Sequence, residues 1–327
     1  MKESEGTHWS KIKEGILKSG LPLELAVCNL IDSISNRFRL INHGEYFFEL
    51  KEGEPPSSVD FKITSDAVDL GQDFDFVQIH FLIECKYRTR NTRWFFVPEP
   101  TMDSGDEFFI ENIAFKGKIG WKSFSRHADL LGRNLLVGKG VEIAGNGKRY
   151  SEGIRDGIYQ LSFAAASHLS LNPIIRVPEL VETYRKSRGI DLENRSVHTV
   201  VCPILVTNAE VLTLKNVDIS DIEQSKEIEE MAERHDALLH RSYQSPQIRR
   251  YITQFMLKET LESLPYMGLW SALPKERVES NLWQHVTFHP SRFFVIKVEA
   301  LPSFIESYIA FIKKLTEFAH EQARKTS

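Results

Sequence analysis

Apolar and polar residues alternate with a period of two along Val59–Thr64 and again along Phe76–Tyr87, and this alternation predicts two strands. In the longer stretch Val77, Ile79, Phe81, Ile83, Cys85 and Tyr87 form an apolar stripe. The opposite face reads Phe76, Gln78, His80, Leu82, Glu84 and Lys86, polar towards its end. In the shorter stretch Val59, Phe61 and Ile63 oppose Asp60, Lys62 and Thr64. If the strands pair, like faces coincide, because a register that mixed them would bury charge. Asp60, Glu84 and Lys86 then share one surface.

The rest of the chain supplies helices and further strands. His8 to Lys18 has Trp9, Ile12, Ile16 and Leu17 near helical spacing, and Ser19-Gly20 stops it. Pro22 opens a second helix to about Asn36, with Leu23, Val27, Leu30, Ile31 and Ile34 as its buried stripe and Glu24 in its first turn. Tyr46, Phe48 and Leu50 alternate as a strand, KEGEPPSS at 51–58 is a turn, and DSGDEFFIEN reads as a loop. From Ser151 to Leu169 Ile154, Ile158, Leu161 and Ala165 line one helix face, with Gln160 in the middle. His198–Val206, Val211–Leu214 and Phe293–Val298 read as strands, and Pro302 opens a long final helix. Two helical patterns fill Ser220–Leu264.

The expected fold is α/β: one compact unit over 1–327, a mixed central sheet flanked by helices. Residues 151–215 and 293–321 complete the sheet begun at residue 45, and 216–290 form a helical insertion.

Composition narrows the function classes. With 42% hydrophobic and 26% charged residues the chain is globular, not disordered. No apolar run approaches the roughly 18–20 residues of a membrane span. The start lacks the apolar core of a signal peptide, which makes the cytoplasm the expected compartment. Cys28, Cys85 and Cys202 are far apart in apolar contexts, which argues against a disulfide framework or a zinc cluster. A net charge of −4 leaves nucleic-acid contact to a local patch, and Lys86, Arg88, Arg90 and Arg93 with Tyr87 and Trp94 interleaved offer one: cations for phosphates, an aromatic for a base. GRNLLVGKG at 132–140 is not a phosphate loop, because its glycine spacing is one residue too long and Gly140 stands where Ser or Thr should be. His285 and His289 are four apart, but Pro290 argues against the helix that would make them neighbours.

The shared face of Asp60, Glu84 and Lys86 has a chemical use. Two carboxylates offer hard oxygen ligands to Mg²⁺, which needs only one or two of them beside water and a phosphate. A lysine roughly 7 Å further along the same face stabilises charge on phosphoryl oxygens or orients a water. Asp75 would replace Asp60 if the hairpin were short. His80 shares the face of Glu84 and is either a substrate contact or a structural histidine.

Asp60 … Glu84-Cys85-Lys86, preceded by Gly20-Leu21-Pro22-Leu23-Glu24-Leu25 at a helix start, resembles the PD-(D/E)xK phosphodiesterase superfamily, with its restriction-endonuclease-like fold. The resemblance is clearest over residues 19–88, and Val59 stands where the motif's name has proline. It implies that Asp60 and Glu84 hold Mg²⁺ or Mn²⁺, that Glu24 assists directly or through water, that the Cys85 main-chain carbonyl adds a ligand, and that Lys86 activates the attacking water. It also implies an accessory role for Gln160, although Ala164 lacks the tyrosine of one such branch. The expected function is a Mg²⁺-dependent nuclease, with DNA favoured over RNA and defence or repair as settings. The alternative is a catalytically silent module of the same fold that binds nucleic acid or a protein. Oligomeric state stays open, so a homodimer or a protein partner is compatible with the sequence.

Overall fold

The computed structural model describes residues 3–50, 54–65, 68–69, 76–99, 108–114, 118–124, 136–150, 152–168, 196–214, 218–241, 246–251 and 292–326. The chain opens with helices α1 (Glu3–Lys18) and α2 (Leu21–Phe38). Strands β1 (Leu40–Asn42), β2 (Tyr46–Phe48), β3 (Ser57–Val59), β4 (Phe61–Ser65), β5 (Val68–Asp69) and β6 (Phe76–Lys86) follow. Next come β7 (Arg93–Pro98), β8 (Phe108–Ala114), β9 (Lys118–Phe124), β10 (Leu136–Ile143) and β11 (Arg149–Tyr150), then helix α3 over 153–168. The remainder is β12 (Ser196–Thr207), β13 (Glu210–Leu214), α4 (Ile219–Gln224), β14 (Ala232–His235), β15 (Ala237–Arg241), α5 (Pro246–Tyr251), β16 (Arg292–Lys297) and α6 (Leu301–Thr326).

All strands except the β2/β3 ribbon belong to one mixed sheet, whose main path runs β1-β4-β6-β12-β16-β15-β10-β7-β13-β14. The protein is thus mixed α/β, with a large central sheet flanked by helices. Its spine is the parallel pair β6/β12, in register from Phe76 opposite Val197 to Lys86 opposite Thr207. Parallel strands buried on both faces read as nearly continuous apolar runs, as FLIEC and VVCPILV do. Pro203 falls between the stretches of β12 that pair with β8 (196–200) and with β16 (204–207), a gap that suits a residue with no N–H.

Each face of the sheet has its own core. Phe61, Ile63, Ile79, Phe81, Ile83, Cys202 and Ile204 pack with Leu23, Val27 and Ile31 of α2 and with Phe304, Tyr308 and Ile312 of α6. On the other face Leu82, Trp94, Val137, Leu205, Leu238 and Val295 pack with Ile154, Ile158, Leu161 and Ala165 of α3, the stripe its sequence predicts. Each such fully buried aliphatic side chain contributes roughly 1.5–3 kcal/mol, so both faces of β6 are fixed. The polar face that alternation assigns to Glu84 and Lys86 is therefore roofed by α3.

At the ends of β6 and β12 the pair turns and continues as the parallel pair β7/β13. Asn208 bridges the turn: its Oδ1 accepts the Arg88 N–H at 2.7 Å and its Nδ2 donates to the Arg88 carbonyl at 2.7 Å. This amide stands in for a missing ladder residue and fixes the chain just beyond Lys86.

The described part of 216–290 does not form the expected helical insertion. α4 is short, and β15 lies inside the main sheet between β16 and β10. Its segment is rich in helix formers, but Leu238 fills the α3-side core while Leu239 fills the opposite one. Packing on both faces outweighs a local preference of under about 1 kcal/mol per residue. Residues 108–112, expected in a loop, belong to β8. Residues 252–291, with His285 and His289, and the alternative Asp75 lie outside the described residues. No helix among the described residues is long and apolar enough to cross a membrane.

Candidate active site

β4 runs antiparallel to β6 with Phe61 opposite Ile83, Lys62 opposite Leu82 and Thr64 opposite His80. Like faces coincide, as the alternation predicts. Asp60 itself lies outside the ladder, at the break between β3 and β4. There its Oδ2 accepts the Cys85 N–H at 2.6 Å, which ties the carboxylate to the residue between Glu84 and Lys86.

Lys86 Nζ donates to Glu84 Oε1 at 2.5 Å and to Gln160 Oε1 at 2.7 Å. Gln160 comes from α3, which approaches closely because Gly157 faces the sheet. A Cβ there would lie 2.5 Å from Leu205 Cδ1 and 3.3 Å from Lys86 Cε. One turn earlier Gly153 lies against Arg88 and Glu142, which are joined at 2.6 Å. Glycines four apart thus let one helix lie over both Lys86 and Arg88.

Burial is the largest cause that raises each of the three acids, and a neighbouring carboxylate adds to it. Burial, and then the charge of Asp60, push the Glu84 carboxyl up to about 7 against the pull of Lys86. Burial likewise raises Asp60, although the Cys85 N–H opposes it. Glu24, in the first turn of α2, is raised by burial and by the charges of Asp60 and Glu45. Burial pushes the Cys85 thiol well up, which makes it a poor nucleophile.

Glu45 is a member of this cluster that the sequence reading missed. It accepts a hydrogen bond from Ser58 Oγ and acts on Asp60 and Glu24 through its charge. It precedes β2 in a short loop, and no periodicity marks it.

The basic patch is not arranged as expected. Trp94 is wholly buried in the α3-side core, beneath the Arg88 guanidinium at 5.7 Å, so its indole stacks on no base. Arg88 is held by Glu142, and Arg93 bonds Glu210 at 3.1 Å and Glu229 at 2.6 Å. Arg90 alone of the three is exposed. The strand pattern could not foresee that β7 turns inward and pairs with both β10 and β13. His80 is fully buried, 4.6 Å from the His168 ring and bonded to Gln78, which makes it a structural residue.

The donor set suits a hard divalent cation. Asp60, Glu84 and Glu24 supply carboxylate oxygens, and Glu84 Oε2 is buried with no hydrogen-bond partner among the described residues. Such an atom costs about 1–3 kcal/mol unless something meets it. Among the described residues no three Asp, Glu, His or Cys side chains converge as a ready ligand cage. Mg²⁺ is satisfied by one or two carboxylates, and Lys86 holds one oxygen of Glu84 in the present arrangement.

No family model matches the chain, and no curated protein or solved structure matches it.

Proposed function

We propose that the protein is a Mg²⁺- or Mn²⁺-dependent phosphodiesterase of the restriction-endonuclease-like kind, acting on DNA in preference to RNA. The observation that carries this reading is the Asp60–Cys85 hydrogen bond beside the Glu84–Lys86–Gln160 chain, which brings a carboxylate from the break between β3 and β4 together with the carboxylate and ammonium of β6, beneath the amide of α3.

Asp60 and Glu84 would hold the cation, with Glu24 acting on the same space. Bound there, the ion supplies Lewis-acid polarisation and an acidified water. The Lys86 side chain lies beside the carboxylates, where it would neutralise charge growing on phosphoryl oxygens or hold the attacking water. Gln160 fixes the direction of the Lys86 ammonium, and α3 limits the access of bulk water to Glu84.

The test is cleavage and binding of plasmid and single-stranded DNA by wild type beside Asp60→Ala in Mg²⁺ or Mn²⁺. Loss of cleavage with binding retained supports the enzyme. If wild type binds but never cuts, and Asp60→Ala binds equally well, the silent binding module replaces it.

A further inference from the structure

The ribbon of β2 and β3 leads into Asp60, and its two faces differ. Tyr46, Phe48 and Val59 turn one face into the α3-side core. Alternation puts Phe47 on the other face, opposite Ser58 in the register, with side-chain carbons about 4.5–5.5 Å apart. Phe47 is 57% exposed, although phenylalanine is among the residues most often buried. Ser58 ties this face to the site. Its hydroxyl donates to Glu45, whose charge acts on Asp60 and Glu24. Its carbonyl lies 3.5 Å from Gln160 Nε2, and Asp60 follows two residues on, roughly 7 Å along the chain.

The surroundings of Phe47 limit how a nucleic acid can approach. Glu24 and Glu45 place acids at this mouth, and Leu21 and Leu25, on either side of Glu24 in α2, are exposed as well. Of the arginines beyond Lys86, Arg88 and Arg93 are committed to Glu142, Glu210 and Glu229. A duplex hides its base faces in the stack and is gripped through its phosphates, which calls for free cations. A single strand shows its base faces, and an exposed aromatic ring takes any of them. An acidic and apolar mouth with an exposed phenyl ring suits the single strand.

We propose that the site takes single-stranded nucleic acid in preference to duplex, and that Phe47 stacks on a base of the bound strand. This rests on the phosphodiesterase reading and adds to it the strandedness of the substrate and a residue that binds it. One strand pairing and two residues separate Phe47 from Asp60, a span of a few nucleotides at roughly 3.4 Å each. The ring therefore meets a base close to the phosphate at Asp60 and Glu84. Phe48, buried on the opposite face, fixes the ribbon as its platform. The stacking role that the basic run after Lys86 suggests for Trp94 falls to Phe47, because the Trp94 indole is buried.

The test is binding of a mixed-sequence single-stranded oligodeoxynucleotide, its duplex, and an abasic oligomer with the same phosphates. It is run in Mn²⁺ on the Lys86→Ala chain, so that metal is present while cleavage is slow, alone and combined with Phe47→Ala, Phe47→Leu or Phe47→Trp. The expected result is a preference for the single strand over duplex and abasic oligomer of at least roughly tenfold. Phe47→Ala loses it, and so does Phe47→Leu, which keeps apolar bulk without a ring. Phe47→Trp keeps it, and its added fluorescence is quenched by the single strand and not by the abasic oligomer. No binding of the single strand, equal binding of the three ligands, or an unchanged preference in a folded Phe47→Ala overturns the proposal. If Phe47→Ala fails to fold, an unaltered Phe47→Leu does so. A preference that depends on Phe47 in a protein whose wild type cuts neither strand nor duplex would sink the phosphodiesterase reading and leave the stacking site standing. Wild-type cleavage of duplex and single strand at equal rates, unaltered by Phe47→Ala, would do the reverse.

Discussion

Asp60 reaches the strand of Glu84 across 25 residues of chain, its Oδ2 accepting the Cys85 N–H at 2.6 Å. The bond replaces a ladder pairing at the point where β3 ends and β4 begins. Asp60→Ala leaves that amide unanswered and is expected to cost about 1–3 kcal/mol. Asp60→Asn keeps an acceptor oxygen and is expected to cost less. Both variants should lose metal-dependent cleavage, so denaturant titration beside a cleavage assay separates the carboxylate's structural role from its chemical one.

The pH dependence of stability has a fixed sign at Glu84. Its pKa of about 7 lies above the ordinary 4.5, so the unfolded chain releases this proton first. The stability linked to this group is complete below pH 4.5 and is lost as pH rises through 7, on the order of 3 kcal/mol in all. Asp60, also raised, adds a change of the same sign. Glu84→Gln should flatten the curve. Mn²⁺ favours the ionised carboxylates, so it is expected to raise Tm at pH 8 and to leave it nearly unchanged at pH 5. Thermal unfolding at the two pH values, with and without Mn²⁺, checks both statements.

Gly157 and Gly15 should respond in opposite ways to alanine. A Cβ at Gly157 would meet Leu205 Cδ1 at 2.5 Å and Lys86 Cε at 3.3 Å. Overpacking there is expected to cost about 1–3 kcal/mol and to lower cleavage by displacing Lys86. At Gly15 in α1 nothing lies within 4 Å of the added carbon, so the helix gains up to about 1 kcal/mol. Paired Tm measurements on the two variants test the close approach of α3.

The pairing of β4 with β6 was legible because one face of each strand, Phe61 and Ile63 in β4 and Val77, Ile79, Phe81, Ile83 and Cys85 in β6, keeps an unbroken apolar period of two. The break at Asp60 was not: the alternation puts Val59 on one face with Phe61 and Ile63, whereas Val59 packs in the α3-side core and Phe61 and Ile63 in the opposite one. What bends the chain is the Cys85 N–H, a partner remote in sequence. β15 was hidden for a similar reason: AERHDALLH carries helix formers, and only the slot between β16 and β10 makes it a strand. Trp94 resembled a surface aromatic because it follows a run of arginines, and its burial depends on the turn of β7 into the sheet.

Arg90 and Arg93 should differ in nucleic-acid binding. Arg93 is already committed to Glu210 and Glu229, whereas Arg90 is exposed. Arg90→Ala is expected to weaken DNA binding and to reduce the salt slope by roughly 0.7–0.9, the share of one phosphate. Arg93→Ala should leave the slope unchanged and cost under about 1 kcal/mol of stability, as partly exposed ion pairs do. Binding titrations across a range of salt concentrations make the comparison.

The most direct measurement is the rate of Mg²⁺- or Mn²⁺-dependent degradation of plasmid and single-stranded DNA by wild type beside Lys86→Ala and Lys86→Met, the latter filling the space beside Glu84. The expected result is cleavage that requires the metal and falls by roughly 10²–10³ or more in both folded variants. Cleavage unaffected by the loss of Lys86, or no cleavage by wild type together with no Mn²⁺ binding that depends on Asp60 and Glu84, would contradict the assignment.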